Sequence, residues 1–397
     1  MTSTDAPSCP MDPTRDDRKS AVLAAQRVRP EPGAQVVNDF AFGRAVLRAA
    51  NTRQAGAGAE QLGGADMQYG SVFFLDGEPH KRRRQAIQKF FTPRAISTRH
   101  RVVMEKTTDK LLGQLRANGG GQLDEMSYQL AVAVAAEIIG LTNSDQVGMA
   151  KRIEATLSGA ARQPANPVLR RISKLVTAGH GINFLLRDVR PAIRQRKARR
   201  SEDVISHLLD ENYPTQSILI ECMTYAVAGM VTTREFIVMA AWHMFGNDSL
   251  RERFLSSDEA DQITLLEEIL RLEPVASMLH RAALEDIDAE TGSAKKGELI
   301  AVHLRAGNVD EQIVGECPFT IDPDRAKRQR GVGSYLSFGD GSHRCPGAQV
   351  AMAESRVFLD RLLRVPGITL VREPDITWRD EVMSYELRGA MVSCDQS

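Results

Sequence analysis

Phe338-Gly339-Asp340-Gly341-Ser342-His343-Arg344-Cys345-Pro346-Gly347 carries one cysteine through a glycine-punctuated loop into a run with helical spacing at Ala348, Ala351, Met352, Phe358 and Leu362. Unpaired backbone N–H groups and the positive end of a helix dipole favour a thiolate there, the form in which cysteine ligates a metal. Pro346 has no N–H, so donors to the sulfur fall to Gly347 and Ala348. The glycines let the backbone turn tightly and approach a large flat ligand, and Phe338 is placed to shield the sulfur from water. On residue types alone a buried structural cysteine is an equal reading, because free cysteine is among the most buried residue types.

The rest of the composition narrows the field. The chain has 397 residues and a formal net charge of zero, enough for two or three average domains or one large one, with no global charge that suggests nucleic acid. Cys9, Cys222, Cys317, Cys345 and Cys394 show no C-x-x-C spacing, which argues against a zinc ribbon or disulfide framework and for a reducing compartment. The N-terminus lacks the apolar run of a signal peptide or membrane anchor, so a cytoplasmic protein is expected. Residues 1–18, polar and proline-bearing, read as a disordered tail before a single domain at 19–397.

The cysteine stretch resembles the heme-binding loop of the cytochrome P-450 superfamily, F-x-x-G-x-[HR]-x-C-x-G, and meets every specified position. The resemblance implies a mainly α fold with a minor β-region, a triangular helical prism around heme b (iron protoporphyrin IX). It makes Cys345 the proximal thiolate and assigns Phe338, His343 and Gly347 to the cofactor. Three further motifs occur in the family's order. His80 and Arg84, four apart on one helix face, match the H-x-x-x-R element that holds heme propionates, which leaves Arg82 and Arg83 as surface charge. Glu268 and Arg271 match E-x-x-R, an ion pair tied to the loop before the cysteine, and Asp322-Pro323-Asp324-Arg325 matches the loop that packs on it. His280-Arg281-Ala282-Ala283 resembles R-x-A, which makes Arg281 another propionate ligand.

Ser217 to Phe245 is mostly apolar but interrupted by Glu221, Arg234, Glu235 and His243, so a buried central helix is expected rather than a membrane span. It is similar to the family's [AG]-G-x-[DE]-T-[TS] helix and reads Ala228-Gly229-Met230-Val231-Thr232-Thr233. The resemblance gives Gly229 the gap for dioxygen and Thr232 the hydrogen bond to it. Val231 stands where an acid feeds protons, and Glu235, three residues beyond Thr232, is the candidate substitute, with a surface ion pair as its alternative role.

Met67, Tyr69, Phe73, Ala228, Val231, Val275 and Met278 are the candidate substrate contacts. Residues 168–200 read as an arginine-rich amphipathic helix or pair of helices, where the family places its access lid. Alternation in Leu299–Leu304 and Ile368–Val371 marks short strands. Lys327, Arg328, Arg330 and Arg344 form a basic patch suited to an acidic electron donor. The implied activity is monooxygenation: one oxygen atom from dioxygen enters an apolar small molecule, of secondary-metabolite, terpenoid or steroid-like kind, with electrons from a ferredoxin-type donor. Val231 keeps peroxide-driven oxidation, oxidative coupling or rearrangement open, and a non-catalytic heme or ligand-binding protein is the remaining alternative.

Overall fold

The structure is a computed structural model, and it describes residues 30–56, 70–161, 166–329, 335–379 and 383–396. The expected tail at 1–18, Met67, Tyr69 and Arg330 lie outside the described residues. The chain divides into two compact units, each drawn from several stretches.

The first unit takes residues up to 56, then 256–345 and 383–385, and holds a four-stranded sheet. Its strand order is Gln35–Val37, Leu299–His303, Met278–Ala283, Thr52–Ala55; the first pair is parallel and the others antiparallel. Val37, Phe42, Val46, Leu47, Ile300, Val302 and Leu336 form one apolar cluster there, joining the Phe40–Arg48 helix to the sheet. The Glu259–Leu272 helix starts at Asp258, whose Oδ1 accepts from the Asp261 N–H at 2.9 Å. It buries Leu265, Leu266, Ile269 and Leu270 at helical spacing together with Glu268 and Arg271, so its buried face is part apolar and part ionic.

The second unit takes residues 57–255, 346–382 and 386–397, and is built mainly of helices. Leu123–Ile139 is buried on nearly all sides, as its apolar sequence requires, and stops at Gly140, whose φ of 99° is a conformation that glycine adopts without strain. The expected central helix is present in two lengths, Thr215–Tyr225 and Thr232–Phe245, joined by a π-helical turn over Ala226–Val231. Arg234, Glu235 and His243 do not turn to solvent; all three are buried. The C-terminal strand Met391–Ser393 pairs antiparallel with both Gly120–Gln122 and Thr369–Arg372.

Residues 168–200 form Pro167–Phe184, a π-turn at Leu185–Val189, and Arg190–Ala198. The polarity of the first helix is the reverse of a core-facing amphipathic helix. Ser173, Thr177, Gly181 and Phe184 are its less exposed positions, while Val168, Leu169, Ile172, Leu175, Val176 and Ile182 are exposed, Leu175 at 73%. No helix among the described residues is long and apolar enough to cross a membrane.

Candidate functional site

In the first unit the cysteine loop is closed by its own backbone. The Cys345 N–H donates to Phe338 O at 2.8 Å, and Gly339 N–H to Leu336 O at 2.8 Å, with both Gly339 and Gly341 at φ 69°. A side chain at Gly341 would collide with the Leu47 carbonyl, so only glycine lets this loop lie against the Phe40–Arg48 helix. That helix also clamps the loop by charge: Arg44 Nε and Arg48 Nε reach Asp340 Oδ2 at 2.9 and 2.8 Å. Burial alone would raise the Asp340 carboxyl, but the Gly341 N–H, Arg48 and Arg44 together hold it below the usual carboxylate range. Cys345 is half-buried and in no disulfide.

Behind the loop lies a hydrogen-bonded frame. Glu268 accepts two bonds from Arg271 at 2.8 Å each, one from Arg325 Nε at 3.0 Å and one from the Asp322 N–H at 3.1 Å. Arg325 in turn donates to the carbonyls of Val314, Cys317 and Thr320. Asn308 is the joint: its Nδ2 donates to Arg271 O and Ser337 Oγ, and its Oδ1 accepts from the Leu336 N–H at 2.8 Å. Asn308 thus bonds both the Arg271 helix and the cysteine loop. Arg281 is buried on its strand, opposite Gln54 and Ile300, and donates to Gln54 Oε1 at 2.6 Å. Of the basic patch, Lys327 pairs with Asp261 at 2.7 Å and Arg328 with Asp322, so much of its charge is met locally, while Arg344 is exposed.

In the second unit the Gly77–Gln88 helix holds His80 buried and Arg84 half-buried. Arg83, expected at the surface, is buried: its Nη1 lies 3.4 Å from Glu221 Oε1 and its guanidinium 4.0 Å over the Tyr213 ring. Glu221, one of the charges that interrupt the apolar segment, thus finds a partner within the unit. Burial raises the Glu221 carboxyl, against the opposing pull of the Ser71 hydroxyl and Arg83.

The π-turn carries the Ala228–Val231 stretch. A Cβ at Gly229 would meet only Ala135 Cβ, at 3.9 Å, an ordinary contact that forces no neighbour to shift. Thr232 Oγ1 donates to Ala228 O at 2.6 Å, across the widened turn. Ala228 is exposed, Phe73 half-buried and Val231 buried; in the first unit Val275 and Met278 are buried. Glu235 is fully buried. Its Oε1 accepts from Arg234 Nε and Arg388 Nη1, each at 2.9 Å, and its Oε2 from the Leu387 N–H at 2.7 Å. The surface ion pair expected as its alternative role is therefore an interior one. An acid that sequence reasoning missed is Glu354 on the Ala348–Leu363 helix: burial raises its carboxyl well above the usual range, and its contact is the Thr233 hydroxyl.

The donor set suits an iron porphyrin. A soft thiol sits in a rigid loop where thiolate ligation of iron needs one, and buried or half-buried cations and imidazoles, Arg281 in one unit and His80 and Arg84 in the other, suit carboxylate groups.

Known proteins agree with this chemistry. The cytochrome P450 family model matches residues 262–367, the span from the Glu268 helix through the cysteine loop. The biotin biosynthesis cytochrome P450 of Bacillus subtilis is 28% identical over 317 residues, covering 78% of this chain and 75% of that protein. Cytochrome P450(MEG) of Priestia megaterium is 26% identical over 317 residues, covering 76% of this chain and 73% of that one. Among solved structures, P450BioI in complex with an acyl carrier protein ligated to hexadec-9Z-enoic acid aligns with a TM-score of 0.74 at 23% identity, over 96% of this chain and 98% of that one. In its thiol-bearing loop, its ordered motifs and its helical fold, this chain is similar to the cytochromes P450, a family of heme-b monooxygenases.

Proposed function

We propose that the chain inserts one oxygen atom from dioxygen into an apolar small molecule of secondary-metabolite, terpenoid or steroid-like kind, using electrons from a ferredoxin-type donor. The observation that carries this reading is the loosely packed Gly229, in a π-turn that leads into Thr232, whose hydroxyl bonds back across it to Ala228 O. In this reading Cys345 ligates the iron, with Phe338, His343 and Gly347 shaping its surroundings, and His80, Arg84 and Arg281 hold the propionates. Bound heme supplies the activation of dioxygen.

The chain's own residues do the rest. Thr232 would turn its Oγ1 from Ala228 O toward a water and so order a proton donor. Val231 has no proton to give, and both Glu235 oxygens are already engaged by cations and a backbone N–H. Burial disfavours the charged form of Glu354 and raises its carboxyl, and its contact with Thr233, next to Thr232, makes it the proposed reservoir. Apolar walls exclude water, and Ala228 and Phe73 are the candidate contacts that orient the substrate.

Val231 also supports a second reading, turnover driven by peroxide, which brings its own protons. Reconstitution with ferredoxin, ferredoxin reductase and dioxygen, beside a parallel assay with hydrogen peroxide, separates the two. Product from the first system supports the monooxygenase reading, and product from peroxide alone overturns it.

A further inference from the structure

Among the described residues, exposed large aliphatic side chains concentrate on one helix. Val168, Leu169, Ile172, Leu175, Val176 and Ile182 are all exposed on Pro167–Phe184, an 18-residue helix. At 100° per residue they fall in one arc, and Gly179 within that arc has nothing near its missing side chain. A contiguous apolar stripe of this kind on a water-exposed helix marks a contact surface. One border is cationic, with Arg171 and Lys174 exposed on the same helix, and Arg187 is exposed just beyond its end. No Asp or Glu occurs from Asn166 until Asp188, and Asp188 is buried against Arg152 at 2.6 Å.

We propose that this face docks peripherally on an anionic lipid surface. The aliphatic arc enters the acyl boundary, and Arg171, Lys174 and Arg187 lie at headgroup phosphates. Three observations select this occupant. A second copy would bring the same cations against one another. The stripe lacks the aromatic and Met side chains in which protein interfaces are rich, while acyl chains require no shape match from aliphatic groups. Among the described residues the arc stays exposed along a helix about 27 Å long, a geometry suited to lying in an interface plane. The inference is independent of which substrate is oxidised.

The test is flotation of the heme-loaded protein with phosphatidylcholine vesicles, with and without about one third phosphatidylglycerol. The protein should float with the anionic vesicles and much less with neutral ones, and added salt should weaken the binding. Leu175→Glu combined with Ile172→Ser, and separately Arg171→Glu combined with Lys174→Glu, should each lower vesicle binding by at least about tenfold, with thermal midpoint and heme content unchanged. No flotation, or flotation that neither variant alters, overturns the proposal. A dimer in sedimentation velocity that Leu175→Glu dissolves, without vesicle binding, would assign the face to a second copy. Retention on immobilised calcium-loaded calmodulin, without vesicle binding, would assign it to an acidic helix-binding protein. Either result also overturns the lipid proposal.

Discussion

At Glu354 the fold buries a carboxyl and raises it well above the usual carboxylate range. Because the folded state keeps this proton above the range where the unfolded chain releases it, stability contributed by the protonated group is present at low pH. It is lost as pH rises from the ordinary carboxyl range through the raised folded value. Glu354→Gln removes that titration. Melts taken from about pH 5 to pH 9 should show the variant gaining on the native protein as pH rises, and parallel curves would contradict the assignment. Thr232 is tested differently. Thr232→Ala should keep the heme spectrum but lower product per electron pair by about tenfold, with the balance appearing as hydrogen peroxide. A variant that stays coupled would show that its Oγ1 serves only the bond to Ala228.

At the scale of elements, the Glu268 frame ties the Glu259–Leu272 helix, the Arg325 loop and, through Asn308, the cysteine loop. Glu268→Ala leaves two buried guanidiniums without their shared carboxylate and should cost about 3–5 kcal/mol, read by denaturant unfolding. A loss well under 1 kcal/mol would mean that the carbonyls around Arg325 and Arg271 hold them unaided. This frame was legible in the sequence because E-x-x-R and the Asp322–Arg325 loop stand in fixed order before Cys345. Other features were not. Arg83 sits among cations in sequence, and its partner Glu221 is 138 residues away, so nothing local marks it as buried. The π-turn adds one residue to each hydrogen-bonded ring without changing residue type, so Ala226–Val231 read as plain helix. In Pro167–Phe184 the periodicity located the apolar stripe but not its direction, since spacing defines a face and only packing decides whether that face is inside.

Across the whole molecule, the sequence carried the helical class, the short strands at Leu299–His303 and Thr369–Arg372, and the cysteine loop, because each rests on local periodicity or fixed spacing. The division into two units assembled from distant stretches depends on long-range pairing that no window of sequence contains. Every catalytic role proposed above depends on one bond, that between Cys345 and the iron of bound heme. The ferrous carbon-monoxide difference spectrum of the purified holoprotein tests it most directly. A strongly red-shifted Soret band that Cys345→Ser abolishes is the predicted result, and a histidine-type band, or a red-shifted band that survives Cys345→Ser, would contradict it.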